Sequence, residues 1–308
     1  MNAGPLIQWF LQGDVSLQYQ VYRYLLGKNR PDLQKRIATE GWGAKLLSVQ
    51  KPDGHWGISF YQPKWTSTHY SMLDLRYLEV DRQNEQARRT VQIIIDTCKD
   101  PDGGINPAKT VANSDVCING MFLVYACYFG VAERDLHSVI DFILSQQLPD
   151  GGFNCRSNRS GARHSSLHTT LSILEGILEY SSQGYTYRLD ELKRVQAQSQ
   201  EFILEHKLYK SSRTGEVIDK RFLMLSYPSR WRFDILRALV YFQQAQVPYD
   251  PRMADAIEVL LHKRRPDGTW PLQAKHSGQT HFDMEPLSKP SRWNTLRAMR
   301  VVNYFKLD

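Results

Sequence analysis

Hydrophobic residues recur every three or four positions along most of the chain, and short polar segments interrupt this pattern. Such spacing predicts α-helices with one buried face. Two kinds of helix alternate, and the first kind is amphipathic with a wide polar face. Helices of this first kind are predicted near residues 33–49, 84–98, 133–147, 189–206 and 252–264.

Helices of the second kind are more uniformly apolar, as expected of helices surrounded by others. We interpret them as six inner helices and the amphipathic ones as outer helices. A short helix from Pro5 to Leu11 precedes the first inner helix. The inner helices are predicted at Val15 to Leu26, Thr66 to Leu78, Asp115 to Phe129, Ser165 to Tyr180, Ser229 to Gln244 and Ser291 to Phe305.

The sequence Pro-Asp-Gly follows four of the amphipathic segments, at residues 52–54, 101–103, 149–151 and 266–268. Proline stops a helix and Asp-Gly forms a tight turn, so each copy marks the end of an outer helix. The first three glycines are 49 and 48 residues apart, and Thr214-Gly215 marks a degenerate copy in the longer gap that follows. The chain is therefore a repeat of helical hairpins.

Helical hairpins of this kind must bury their apolar faces against neighbouring hairpins. They can stack into an open solenoid or close into a ring. Six inner helices without distinctive polar end caps favour closure around a central cavity. We predict an all-α fold, an α/α toroid forming a single domain over residues 1–308, with about five repeats from residue 33 and an N-terminal helix pair at 5–27.

The composition limits the functional classes. The chain has 308 residues, 42% of them hydrophobic, which is typical of a globular protein. No apolar run approaches the roughly 18 residues that span a bilayer, and no signal peptide is recognisable, so we expect a cytoplasmic protein. Four cysteines are too few for a disulfide framework. The net charge of +7 permits an anionic partner, but scattered basic residues do not predict nucleic-acid binding.

Two metal-ligand residues stand at the start of the third inner helix, Asp115 and Cys117, and His168 begins the next inner helix. Asp115 and Cys117 converge if Asp115 is still extended while Cys117 is already in the first turn. Carboxylate, thiolate and imidazole are all zinc ligands, and three protein ligands leave a fourth position open, as in catalytic zinc sites. With these ligands zinc is formally neutral, so a substrate thiolate would be tolerated. The sequence therefore predicts a site for Zn²⁺.

Each of these residues also has an ordinary structural interpretation. Asp115 is a typical helix cap, Cys117 a typical small core residue, and His168 a typical hydrogen-bonded side chain. His164 lies one helical turn earlier and is an alternative third ligand if the helix begins sooner.

The repeat resembles that of the terpenoid cyclase and protein prenyltransferase β-subunit superfamily. Its spacing appears at Phe142-Ile143, Gln147, Gly151 and Phe153, and the first copy follows it from Leu46 onward. The resemblance covers most of the chain after residue 40 and implies an α/α toroid with an apolar cavity. Squalene-type cyclases carry an Asp-x-Asp-Asp acid motif, which this sequence lacks.

The protein prenyltransferases hold zinc with Asp-x-Cys on one inner helix and His on the next. Asp115-Val-Cys117 is similar to the first element, and His168 follows Cys117 by 51 residues. The resemblance implies that zinc ionises a substrate cysteine, whose thiolate attacks an isoprenoid diphosphate. It also implies a helical partner subunit.

The diphosphate-binding residues match the family less well. Lys109 corresponds to one basic position, but Ala112 and Ile118 stand where a basic residue and a tyrosine are expected. Arg230 and Arg292 are alternative anion-binding residues. Each belongs to a Pro-Ser-Arg-Trp sequence before an inner helix, and the cation-aromatic pair either forms a rim for an anionic ligand or fixes the core.

Aromatic residues near the inner helix starts are candidates for a substrate cavity, with core packing as the alternative: Trp65, His69, Tyr70, Trp231 and Trp293. The leading hypothesis is a zinc-dependent prenyltransferase-like enzyme acting on an isoprenoid or another apolar substrate. The alternatives are a zinc enzyme of a different reaction type on the same toroid, and a non-catalytic toroid that binds a ligand or partner.

Overall fold

The computed structural model describes residues 4–108 and 110–307, and most of these residues are helical. Trp270–Pro271 (β1) and Pro290–Ser291 (β2) form a short antiparallel pair. The α-helices are α1 (Gly4–Leu11), α2 (Val15–Tyr24), α3 (Pro31–Arg36), α4 (Gly41–Ser48), α5 (Thr68–Tyr77), α6 (Glu85–Cys98), α7 (Val116–Tyr128), α8 (Glu133–Ser145), α9 (Ser157–Ser160), α10 (Leu167–Ser182), α11 (Leu189–Glu205), α12 (Ile235–Gln244), α13 (Ala254–His262) and α14 (Arg292–Phe305).

Burial separates the two kinds of helix. Every residue of α7 except Cys117 is buried, whereas α6 buries one face only. The buried face of α6 includes Thr90, Val91 and Ile94, at the spacing of an amphipathic outer helix. The uniformly apolar segments are therefore inner helices, as the sequence pattern predicts.

The six inner helices, α2, α5, α7, α10, α12 and α14, form a closed ring. Neighbours around the ring are in contact, and α14 returns to α2. Gln20 of α2 bonds the Tyr77 carbonyl of α5, and His69 of α5 bonds Tyr125 of α7. Gly120 of α7 lies against Gly176 of α10, and Glu175 of α10 pairs with Arg237 of α12. Helix α12 packs against α14, and Arg300 of α14 covers the Tyr24 ring of α2. The prediction of an all-α toroid is confirmed.

One hydrogen bond recurs in all four Pro-Asp-Gly repeats. The backbone N–H two residues after the turn glycine donates to a side chain in the first turns of the next inner helix. We call this bond the repeat tether. Its four copies join Trp56 to Thr68 (3.1 Å), Ile105 to Asn119 (2.7 Å), Phe153 to Thr170 (2.9 Å) and Trp270 to Thr295 (2.9 Å). The tether sets the register of four inner helices, α5, α7, α10 and α14, against the segments that precede them.

Two predicted helices differ from the structure. The segment predicted as one helix at 33–49 forms α3 and α4, which are separated where Gly41 adopts φ +64°. A left-handed residue ends a helical path, and glycine adopts that conformation without strain. The helix predicted from Ser229 begins only at Ile235, because Asp234 caps it by accepting a hydrogen bond from the Arg237 N–H (2.8 Å). The segment 229–234 is therefore a loop.

None of the helices described here is long and apolar enough to cross a bilayer.

Helices α7 and α10 approach each other closely at two glycines. A Cβ atom on Gly176 would lie 2.5 Å from the Gly120 carbonyl oxygen, and one on Gly120 would lie 2.5 Å from the Ser172 carbonyl oxygen. Both contacts are with backbone, which cannot rotate away. The absence of side chains at these positions therefore determines how close the two inner helices lie.

We expect Gly176→Ala to destabilise the fold by about 1–3 kcal/mol, because the added methyl group forces two buried helix backbones apart. The measurement is the free energy of unfolding in urea. Ser182→Ala, at the exposed end of the same helix, is the control and is expected to change stability by less than about 0.5 kcal/mol. Equal stability of both variants would contradict the close packing.

Candidate metal centre

Asp115 and Cys117 converge at the start of α7. Asp115 is the extended residue before the helix (φ −87°, ψ 119°), and Cys117 lies in its first turn. The Cys117 thiol donates a hydrogen bond to Asp115 Oδ1 at 3.4 Å. Asn119, the tether residue of this repeat, also bonds the Asp115 carbonyl through its side chain (3.0 Å). The tether therefore positions both candidate ligands.

Cys155 completes a cluster with these two residues. It lies in the loop before α10, where its N–H donates to Thr169 Oγ1 at 3.2 Å. The ligand atoms of Asp115, Cys117 and Cys155 lie within 4.8 Å of one another. Two sulfurs bound to one tetrahedral zinc at about 2.3 Å lie about 3.8 Å apart. A small closure of the cluster would therefore fit zinc.

His168 lies outside this cluster. Its Nδ1 accepts a hydrogen bond from the Phe233 N–H at 2.7 Å, and its ring packs against Phe222 and Trp231. Burial lowers the pKa of His168 to about 4, so the ring is neutral near pH 7. The structure thus brings together two of the three predicted ligands and places Cys155 beside them.

The repeat explains why His168 is elsewhere. Cys117 and His168 each lie two residues before a tether residue, Asn119 and Thr170, so they occupy equivalent positions. Equivalent side chains point in equivalent directions, here toward the segment before the next inner helix. Cys117 therefore meets Cys155 before α10, whereas His168 meets the backbone before α12.

The alternative ligand, His164, is exposed, and its carbonyl accepts a hydrogen bond from the Asn154 side chain at 2.8 Å.

The cluster combines negative groups with nearby cations. Arg159 lies 3.2 Å from Asp115 Oδ2. Burial raises the pKa of Asp115, and Arg159 opposes this effect. The neighbouring Cys117 thiol lowers the pKa of Cys155, whereas the Cys155 thiol and burial raise that of Cys117. Within the pair, Cys155 is the thiol that ionises more readily.

Lys64 lies between two aromatic rings. Its Nζ lies 4.9 Å from the ring centres of both Trp65 and Trp231. Burial lowers the pKa of Lys64, while Cys117 and Asp115 raise it. The positive charge of Lys64 is therefore within electrostatic reach of the candidate ligands.

The predicted anion-binding arginines do not converge with one another. Arg230 is buried over the Trp65 ring (4.8 Å), and its guanidinium lies 3.7 Å from Asp74 Oδ2. Arg292 donates from Nε to the Trp9 carbonyl at 2.9 Å and covers the Trp9 ring, so it joins α14 to α1. Lys109 lies outside the described residues.

The five aromatic residues that were predicted to line a substrate cavity make different contacts in the structure. His69 Nδ1 bonds the Tyr125 hydroxyl at 3.1 Å, and burial lowers the pKa of His69 to about 3. Tyr70 shares a hydroxyl hydrogen bond of 3.1 Å with Tyr61. Trp293 stacks on Tyr227 with ring centres 4.8 Å apart. Of the five predicted aromatics, Trp293 lines the cavity inside the ring.

A central cavity of about 330 Å³ lies inside the ring and is bordered by all six inner helices. The resemblance to the family implies an apolar cavity, but charged side chains line this one. Most of them lie in the middle or later turns of the inner helices, whereas Arg237 is the third residue of α12 and Glu79 follows the end of α5. The charged lining residues are Arg23, Arg76, Arg237, Arg297, Arg300, Glu79, Glu175 and Glu179.

Comparison with known proteins gave structural matches only. No protein-family model matches the chain, and no curated protein matches it. Two solved structures of the type II terpene cyclase MstE from Scytonema are similar at 14% identity. One, with the product merosterolic acid A, has a TM-score of 0.46 and covers 95% of this chain and 87% of its own. The other, with geranylgeranyl dihydroxybenzoate as substrate, has a TM-score of 0.45 and covers 95% and 86%.

Proposed function

We propose that the chain is a zinc-dependent, prenyltransferase-like enzyme whose zinc is held by Asp115, Cys117 and Cys155. The observation that carries the proposal is the convergence of these three ligand atoms within 4.8 Å. One carboxylate and two thiolates suit zinc, and three protein donors leave a fourth position for a substrate atom. Bound zinc would lower the pKa of a thiol or water at that position.

The surrounding charges favour occupation by zinc. A zinc site with two thiolates and one carboxylate has a formal charge of −1. The predicted site with His168 in place of Cys155 would be neutral. Arg159, 3.2 Å from Asp115, and Lys64 offset this extra negative charge. Cations beside a metal-thiolate group also reduce its attraction for protons and stabilise an incoming anion.

Lys64 and its two flanking tryptophans support an isoprenoid diphosphate as substrate. In prenyl transfer, negative charge develops on the departing diphosphate, and a positioned cation stabilises it. Lys64 supplies a cation within electrostatic reach of the cluster, and the rings of Trp65 and Trp231 supply apolar surface. Ile118 stands where the family has a tyrosine, and it is fully buried. Stabilisation of the departing diphosphate is therefore left to other residues.

A second candidate is a zinc enzyme of a different reaction type on the same toroid. The mismatches at Ala112 and Ile118, where the family has a basic residue and a tyrosine of the diphosphate site, favour it. Both candidates use the same metal ligands and differ in the substrate that the protein recognises.

We expect the purified protein to contain about one zinc ion per chain, as three converging ligands specify a single site. Cys117→Ala and Cys155→Ala should each lose most of the zinc, while His168→Ala retains it. Elemental mass spectrometry of each folded variant measures the content.

Cys127→Ala is the matched control, because Cys127 is a fully buried thiol outside the cluster. Zinc lost from His168→Ala but kept in Cys155→Ala would refute the assigned ligand set. No zinc in the parent protein, even after reconstitution, would leave a toroid that binds a ligand or partner without this chemistry.

We expect Lys64→Ala to weaken binding of geranylgeranyl diphosphate to the zinc-loaded protein by at least about tenfold, since it removes a charged hydrogen-bond donor. Isothermal titration calorimetry measures the affinity, and Lys51→Ala removes an exposed lysine of the same charge as the control. Zinc retained without any binding of this diphosphate would favour the second candidate.

A further inference from the structure

The arginine-rich central cavity is separate from the candidate metal centre. Its residues on α10 run from Glu175 to Ser182, whereas the metal cluster lies before that helix and at the start of α7. The two sites share no residue. The cavity therefore needs its own explanation.

The charges on the cavity lining do not balance. Five arginines and three glutamates line it. Each glutamate already has its own arginine: Glu79 pairs with Arg23 (2.9 Å), Glu179 with Arg76 (2.6 Å) and Glu175 with Arg237 (2.6 Å). Two positive charges, on Arg297 and Arg300, remain.

Arg297 and Arg300 have neutral partners within the described ranges 4–108 and 110–307. Arg297 donates to the Ser226 carbonyl at 3.2 Å and to Ser229 Oγ at 3.1 Å. Arg300 lies over the Tyr24 ring at 3.8 Å. The two arginines are three positions apart on α14, so they share one face of the helix. Together they add two cations to the cavity, beyond the three arginines that are paired with glutamates.

Enclosing two like charges is unfavourable. Burial lowers the pKa of Arg300, Tyr24 and Glu79 raise it, and the neighbouring Arg297 lowers it. Arginine stays protonated nonetheless, so an anion in the cavity would stabilise the pair. Guanidinium groups match the oxygens of phosphate in particular, because their N–H groups are held in a planar fork.

We propose that the central cavity binds a small phosphate-bearing molecule through Arg297 and Arg300. The cavity volume of about 330 Å³ suits a compact ligand. The stacked rings of Tyr227 and Trp293 form an apolar wall beside the two arginines. This site adds a ligand to the protein and does not depend on zinc.

A second group of cations lies next to the cavity mouth. Arg23 and Gln183 line both the cavity and an adjoining surface groove, which also contains Lys28 and Arg82. Positive charge at the entrance attracts anions from solution and raises their association rate. The groove thus provides an approach path for the same class of ligand.

The proposal is tested by isothermal titration of inorganic phosphate into EDTA-treated protein at constant ionic strength. We expect saturable binding at one site, weakened at least about tenfold in Arg297→Gln and in Arg300→Gln. Arg213→Gln removes an exposed arginine and should bind phosphate as the parent does. Cys117→Ser should also bind phosphate normally, which separates this result from the outcome at the metal centre.

Glu179→Gln provides an independent test if the arginine variants fold poorly. It releases Arg76 from its ion pair and should therefore tighten phosphate binding several-fold. No saturable phosphate binding to the parent, or an equal loss in Arg213→Gln, would overturn the proposal. Binding of citrate without phosphate would overturn the phosphate assignment.

Discussion

The repeat tether is the interaction on which the rest of this fold depends. A backbone N–H that follows each Pro-Asp-Gly turn would be unsatisfied inside the protein without a partner, and burying such a group is costly. Thr68, Asn119, Thr170 and Thr295 supply that partner from the next inner helix. Because the bond recurs in all four Pro-Asp-Gly repeats, it places α5, α7, α10 and α14 at one height and gives their first turns matching orientations.

That repeated geometry decides which residues can meet. Side chains at equivalent positions point toward the segment before the next inner helix. Cys117 therefore points toward the loop before α10 and His168 toward the loop before α12, so the two side chains do not meet. The partner of Cys117 is therefore a residue in the loop ahead of it, Cys155. Asp115 joins because its extended backbone lies just before the helix begins. The cluster therefore forms where the start of α7 contacts the loop that precedes α10.

The sequence predicts the ring well and the site only in part. Helical periodicity and the spaced turns identify the inner helices, since both signals are local. Asp115 and Cys117 were predictable because they lie only two positions apart in the chain. Cys155 was missed, although it stands two residues after the tether donor Phe153, because loop direction is set by tertiary contacts. The arginines on inner helices were visible, but their pairing with glutamates depends on how those helices face one another.

The two ends of the inner helices have opposite electrostatic character. Helix starts carry partial positive charge and favour the anionic ligands of the metal cluster, and helix ends favour cations. This dipole effect acts only within the first and last turns, and the half-buried Arg297 and Arg300 lie before the last turn of α14. The helix ends alone therefore do not stabilise Arg297 and Arg300 inside the ring. An anion shared by both guanidinium groups supplies the missing stabilisation, which is why the cavity is better explained as a binding site than as a polar core.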